Sequence, residues 1–198
     1  MGNEGFNNVI LTEGGVLCRE TTATLNPSND VLMRRLSRLS RSTPAEPLPD
    51  TLAADLRSIV APNPRRRPAA VRTLKGEFLP RVVFVSADEA VTWHLPVWKR
   101  FIRTSEIHAI ESSPDQIPAD LAAVLWQTNE TSMGSLEFVA TMRDGKRFAF
   151  VYSGPNDFIL LPAPLKPSDT QNIATGRGIS KGFSTIGDEP DFVWCAYR

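Results

Sequence analysis

The sequence predicts an α+β domain: an antiparallel sheet core with several short helices, preceded by a basic, proline-broken N-terminal arm. Three observations lead there. Residues 135–153, SLEFVATMRDGKRFAFVYS, alternate apolar and polar side chains on either side of Asp144-Gly145, the pattern of a hairpin. Fifteen of the 16 aromatic residues lie at or after Phe78, and aromatic rings bury the largest areas, so the main core belongs to the chain from about residue 76 onward. The N-terminal part must borrow that core or remain loosely packed. The expected division is therefore 1–75, a hairpin, a basic helix and a Pro/Arg-rich connector, followed by 76–198, the globular core.

Along the arm, Val9-Ile10-Leu11 and Val16-Leu17-Cys18 flank Glu13-Gly14-Gly15, predicting a small hairpin over 7–20. Residues 31–41, VLMRRLSRLSR, form an amphipathic helical pattern. Leu32, Leu36 and Leu39 share one face; Arg34, Arg38 and Arg41 repeat that spacing on another, with Arg35 beside them. Three prolines between 43 and 49 read as a linker. Residues 52–60 read as a short helix capped by Asp50 or Thr51. Residues 62–68, PNPRRRP, cannot be helical throughout, because proline removes a donor and restricts the residue before it. An extended basic connector carrying Arg65, Arg66, Arg67 and Arg72 is the expectation.

In the core, Arg81-Val82-Val83-Phe84-Val85 reads as a strand and 105–111 as another. Residues 87–94 and 96–104 read as helices. Pro118-Ala119-Asp120 opens a helix with Leu121, Val124 and Leu125 on one face. In the hairpin, a three-residue turn Arg143-Asp144-Gly145 pairs Leu136 with Tyr152, Phe138 with Phe150 and Ala140 with Phe148. A one-residue slip would mix the faces, so Gly145 is expected left-handed. Residues 158–161 and 192–197 are further strand candidates, separated by about 30 residues of proline- and glycine-rich loop.

The totals of charge balance, 22 basic against 22 acidic, but the charges are sorted along the chain. Residues 34–103 carry fourteen bases and six acids; 104–198 carry seven bases and twelve acids. A basic block between acidic flanks points to an anionic partner or to the chain's own acidic surface. The first reading is a non-enzymatic binding or regulatory protein that engages an acidic protein surface or nucleic acid through Arg34, Arg35, Arg38, Arg41, Arg65, Arg66, Arg67 and Arg72. Trp98 and Phe101, with Arg103 as rim, are candidate interface anchors. A second reading is a small hydrolase or nucleotide-directed enzyme using the loop 165–189. There Gly176, Arg177, Gly178, Ser180 and Lys181 resemble a phosphate cradle without matching the Walker or Rossmann order. A third is a structural assembly subunit, with homo-oligomerisation left open.

No catalytic residue, metal site or cofactor is assigned. His94 and His108 are too far apart for a helical metal pair. Glu106 and His108 alternate on one strand face, a weak acid/base pairing. Cys18 and Cys195 read as buried thiols of a reducing, cytoplasmic compartment rather than a disulfide framework. No apolar run is long enough to span a membrane. The first residues, MGNEGFNN, lack the basic n-region of a signal peptide.

Overall fold

The structure is a computed structural model and describes residues 8–11, 17–20, 45–92, 100–131, 134–154, 156–183, 186–187 and 190–198. The basic helix expected at 31–41, with Arg34, Arg35, Arg38 and Arg41, lies outside the described residues, as do His94 and Trp98. The strands of the N-terminal hairpin are present: β1 (Asn8–Leu11) and β2 (Leu17–Glu20) pair antiparallel, Val9 opposite Arg19.

The rest is an α+β assembly of two four-stranded sheets. The first half contains α1 (Asp50–Ser58), β3 (Arg66–Thr73), β4 (Phe78–Ser86), α2 (Ala87–Thr92) and β5 (Ile107–Glu111). The second contains α3 (Ala119–Gln127), β6 (Leu136–Met142), β7 (Arg147–Tyr152) and β8 (Thr170–Thr175). Two strands follow, β9 (Ile186–Gly187) and β10 (Val193–Tyr197). One sheet runs β10-β4-β3-β5 and the other β8-β6-β7-β9.

These halves are two copies of one plan. Each opens with proline at the helix N-cap, Pro49 or Pro118, whose fixed φ suits a helix start. The helical sequences align as LPDTLAADL and IPADLAAVL, residues 48–56 and 117–125. Each continues into a hairpin whose turn places a glycine at positive φ, Gly76 or Gly145. Thr73 N–H donates to the Glu77 carbonyl and Gly76 N–H to Thr73; Met142 N–H donates to Lys146 and Gly145 N–H to Met142. A 3-10 turn then leads into the third strand, Thr104–Glu106 or Pro167–Asp169, and each turn ends in a carboxylate that accepts the backbone N–H three residues earlier. Even the irregularity recurs: both third strands slip register at the same point, opposite Arg72/Thr73 and Thr141/Met142. Each sheet is completed by a parallel strand from the C-terminal segment, β10 on β4 and β9 on β7.

Packing follows the same plan. Leu52, Leu56 and Ile59 lay one face of α1 on Val71, Val82, Phe84, Ile107 and Ile110. Ala122 and Leu125 lay α3 on Phe138, Phe150, Tyr152 and Ile173. The first sheet is also covered on its other face, where Val83, Val85, Ala90 and Trp194 meet Phe158 from the second half. That explains the unbroken apolar run of β4, whose Val82, Val83, Phe84 and Val85 are all fully buried.

The hairpin of the second half has the register read from its sequence, Leu136 opposite Tyr152, Phe138 opposite Phe150 and Ala140 opposite Phe148. The rings of Phe138 and Phe150 stack at 5.0 Å, and both meet Tyr152 edge-on.

Several expectations are corrected. From Arg66 onward the basic connector is β3, an inner strand, and residue 75 lies in the turn of the β3–β4 hairpin. Pro68 is tolerated because β5 pairs only from Ala70 onward, leaving one side of the strand open there. Neither Asp50 nor Thr51 caps α1; both lie inside it. Residues 100–103 are extended rather than helical, because Phe101 and Ile102 lie along β10: Ile102 N–H donates to the Trp194 carbonyl and Trp194 N–H to Arg100. Val124 faces solvent while Ala122 takes its place in the core. Residues 158–161 make only a bridge at Gln116–Phe158, not a strand. The long loop contains β8, whose polar sequence TQNIAT fits an edge strand with only Thr170 and Ile173 buried.

The stack at the centre of the second core yields a direct test. Phe150→Ala removes a ring buried to 1% exposure and is expected to cost about 3–5 kcal/mol in a reversible urea melt.

Candidate binding cleft and the buried junction

The repeated hairpin turn builds a cleft in the first half. The turn of β3–β4 contributes Thr73, Leu74, Lys75, Glu77 and Leu79. The extended segment alongside contributes Arg100, Phe101 and Ile102, the 3-10 turn after it Ser105 and Glu106, and β10 Val193. The volume is about 250 Å³. Ile102 and Val193 are buried and form the base, while Leu74, 66% exposed, stands at the rim. An aliphatic side chain that exposed at a hairpin tip, next to Lys75, is available for contact. Arg100 holds only a loose ion pair with Asp191, 3.8 Å apart and largely solvated.

The segment 103–105 is tied down from outside the cleft. Glu46 accepts hydrogen bonds from Thr104 Oγ1 and the Ser105 N–H, and lies 3.8 Å from Arg103. The Ser105 hydrogen bonds, then those from Thr104 and the charge of Arg103, hold the Glu46 carboxyl below the ordinary carboxylate range. Of the anchor candidates, Phe101 lines the cleft, while Arg103 turns to Glu46 beside it. Glu106 is engaged as the acceptor of the Arg103 N–H, whereas His108 is exposed on β5, so the structure does not join them as an acid/base pair.

Among the described residues, the arginines expected at a polyanion-binding surface, Arg65, Arg66, Arg67 and Arg72, take different environments. Arg65 is exposed in a turn held by Asn63 Oδ1. Arg66 points inward, 5% exposed, with its guanidinium 3.6 Å from the centre of the Trp126 ring. Arg67 donates to the Ile59 carbonyl at 2.7 Å. Arg72 lies over Phe78 and pairs with Glu111 at 3.1 Å. Arg81 pairs with Asp115 and donates to the Asp191 carbonyl. Among the described residues, Arg72, Arg81 and Arg100 are matched against carboxylates of the acidic C-terminal half.

Arg66 belongs to a buried junction between the halves. Asp157, 1% exposed, accepts a hydrogen bond from Trp126 Nε1 at 3.0 Å through Oδ1, and its backbone carbonyl accepts the Ile117 N–H. Burial lowers the Arg66 pKa, partly countered by the charges of Asp157 and Glu89. Trp126 and Asp157 were not legible as a pair. The available signal was one acid immediately before the apolar run Phe158-Ile159-Leu160-Leu161.

In the glycine-rich turn three N–H groups close on the turn's own carbonyls: Ile179 on Gly176, Lys181 on Gly178 and Phe183 on Ser180. Ser180 Oγ donates to the Glu137 carboxylate at 2.8 Å, which places negative charge beside the turn. The Lys181 stem folds over Gly178, and Arg177 points to solvent. Cys195 is fully buried, and burial pushes its thiol up to about 12, so the thiolate needed for nucleophilic chemistry does not form at ordinary pH. Among the described residues no group of three His, Cys, Asp or Glu is placed to hold a metal, and no helix is long and apolar enough to cross a membrane.

No protein-family model matches the chain, and comparisons with curated proteins and with solved structures find no match.

The adjacent arginines Arg65, in the turn before β3, and Arg66, in β3, therefore behave differently. Arg65→Ala is expected to change stability by no more than about 0.5 kcal/mol. Arg66→Ala, which strips a cation from a buried carboxylate and a ring, is expected to cost about 3–5 kcal/mol. Urea melts of the two single variants measure the difference.

Proposed function

We propose that this chain is a non-enzymatic binding protein that receives an acidic, partly apolar segment of a protein partner in the first-half cleft. The observation that carries the reading is the cleft itself: an apolar base of Ile102, Phe101 and Val193, a protruding Leu74, and solvated Lys75 and Arg100 at its mouth, with Glu77 and Glu106 also in the lining. An apolar anchor surrounded by charge is the usual anatomy of a protein contact. An acidic protein segment is favoured over nucleic acid because Arg66, Arg67, Arg72 and Arg81 are already engaged within the fold. Phosphate-backbone binding draws its affinity from many cations acting together.

Binding of fluorescent acidic peptides, with and without a leucine or phenylalanine anchor, is the test. Duplex DNA of equal charge serves as the competitor. The anchored peptide is expected to bind best and to weaken with salt. Leu74→Asp and Lys75→Glu are each expected to weaken it at least about tenfold, a loss of about 1.4 kcal/mol, without lowering the urea midpoint. Equal binding of DNA and peptide, unaffected by either substitution, overturns the reading.

A further inference from the structure

We propose that the tip of the second-half hairpin is a docking surface for a strongly acidic segment of a protein partner, separate from the first-half cleft and independent of it. Arg143, Lys146 and Arg147 around the β6–β7 turn, with Lys166 beside it, make the surface. Residues 104–198 carry seven bases against twelve acids, and these are four of the seven. The backbone gathers them. The Arg143 N–H donates to the Asp169 carbonyl, which fastens the hairpin turn to the 3-10 turn that follows Lys166. All four basic residues are exposed.

The repeat provides a comparison within the molecule. Around the matching turn of the first half, Arg72 meets Glu111, Arg103 meets Glu46 and Arg100 meets Asp191, leaving Lys75 without an ion pair among the described residues. In the second half the balance is reversed. Lys146 pairs with Asp144 at 2.8 Å, whereas Arg143, Arg147 and Lys166 have no carboxylate partner among the described residues. The other acid at this end, Asp169, accepts the Lys166 backbone N–H through Oδ2. The Arg147 guanidinium lies over the Phe183 ring, 5.3 Å from its centre, which positions the cation without neutralising it. Leu74, Glu77 and Phe78 of the first turn correspond to Arg143, Lys146 and Arg147 of the second, so the apolar anchor is replaced by charge. Guanidinium groups match carboxylates through paired N–H···O bonds. A short acidic protein segment is favoured over nucleic acid because phosphate-backbone affinity needs many cations, and here three stand unpaired beside Asp144 and Asp169. The one ring at this end that could stack on a base, Phe183, has Arg147 over it.

The test uses the full chain and a fluorescent oligoglutamate peptide without apolar residues, with single-stranded DNA of equal charge in parallel. The peptide is expected to bind at low salt and to weaken steeply as salt is added. An Arg143→Glu/Lys166→Glu double variant is expected to weaken it at least about tenfold at an unchanged urea midpoint. Leu74→Asp, which disables the cleft, is expected to leave this binding unchanged, so failure of the cleft and failure of the hairpin tip give different results. In an amide NMR titration of the wild type, the largest shifts are expected at residues 143–147 and 166. Absence of binding, binding indifferent to the double variant, or DNA bound as tightly as the peptide overturns the proposal. If the double variant does not fold, the wild-type titration decides, and shifts centred away from the hairpin tip overturn it equally.

Discussion

A sheet buried on both faces needs two covers, and in this protein only one of them is local. Strand β4 hides Val82 and Phe84 beneath α1, and Val83 and Val85 on the opposite side. The second cover includes Phe158 from the other half and Trp194 from β10. Neither half is therefore self-sufficient, although each follows the same plan. The same constraint draws β10 against β4, and β10 in turn holds residues 100–102 extended. The cleft exists because that extended segment runs past the β3–β4 turn. Fold and candidate site thus descend from one burial requirement.

The repeated plan supplies the scaffold, and the side chains that differ between its copies supply the site. The turn Leu74-Lys75-Gly76-Glu77 has its counterpart in Arg143-Asp144-Gly145-Lys146, with the same backbone hydrogen bonds and the order of charges reversed. In the second half Asp144 and Lys146 pair with each other at 2.8 Å. In the first, the exposed leucine precedes the lysine and stands over an apolar base. One backbone plan carries two surfaces of different chemistry, the ordinary way in which function is grafted onto a fold.

What the sequence disclosed depended on whether a residue's burial matched its neighbours'. The β6–β7 register was legible because period-two alternation and an Asp-Gly turn agree on one face. Strand β3 was not, because Arg66 and Pro68 signal exposure; its burial depends on a ring and a carboxylate more than fifty residues away. Strand β8 was not, because an edge strand needs little apolar surface. Phe101, read from the sequence as an interface anchor beside Trp98, lies in the cleft lining, while Lys75 and Arg100 did not stand out among the other bases of a charge-rich segment. The internal repeat was present in the text, in Pro49/Pro118, Leu52/Leu121, Leu56/Leu125 and Gly76/Gly145. Its strands share composition too loosely to reveal it without the matching turns.

The order of the strands has a consequence for how the molecule is made. Strand β4 and its parallel neighbour β10 are separated in the chain by the entire second half. On a ribosome, the first half emerges early with the outer edge of β4 unpaired and one face of its sheet uncovered. It must remain in that condition while the second half is translated. An exposed Val-Val-Phe-Val edge is a template for pairing with other chains. The edge of β4 that β10 covers in the finished fold is thus unpaired between the appearance of residue 86 and that of residue 193.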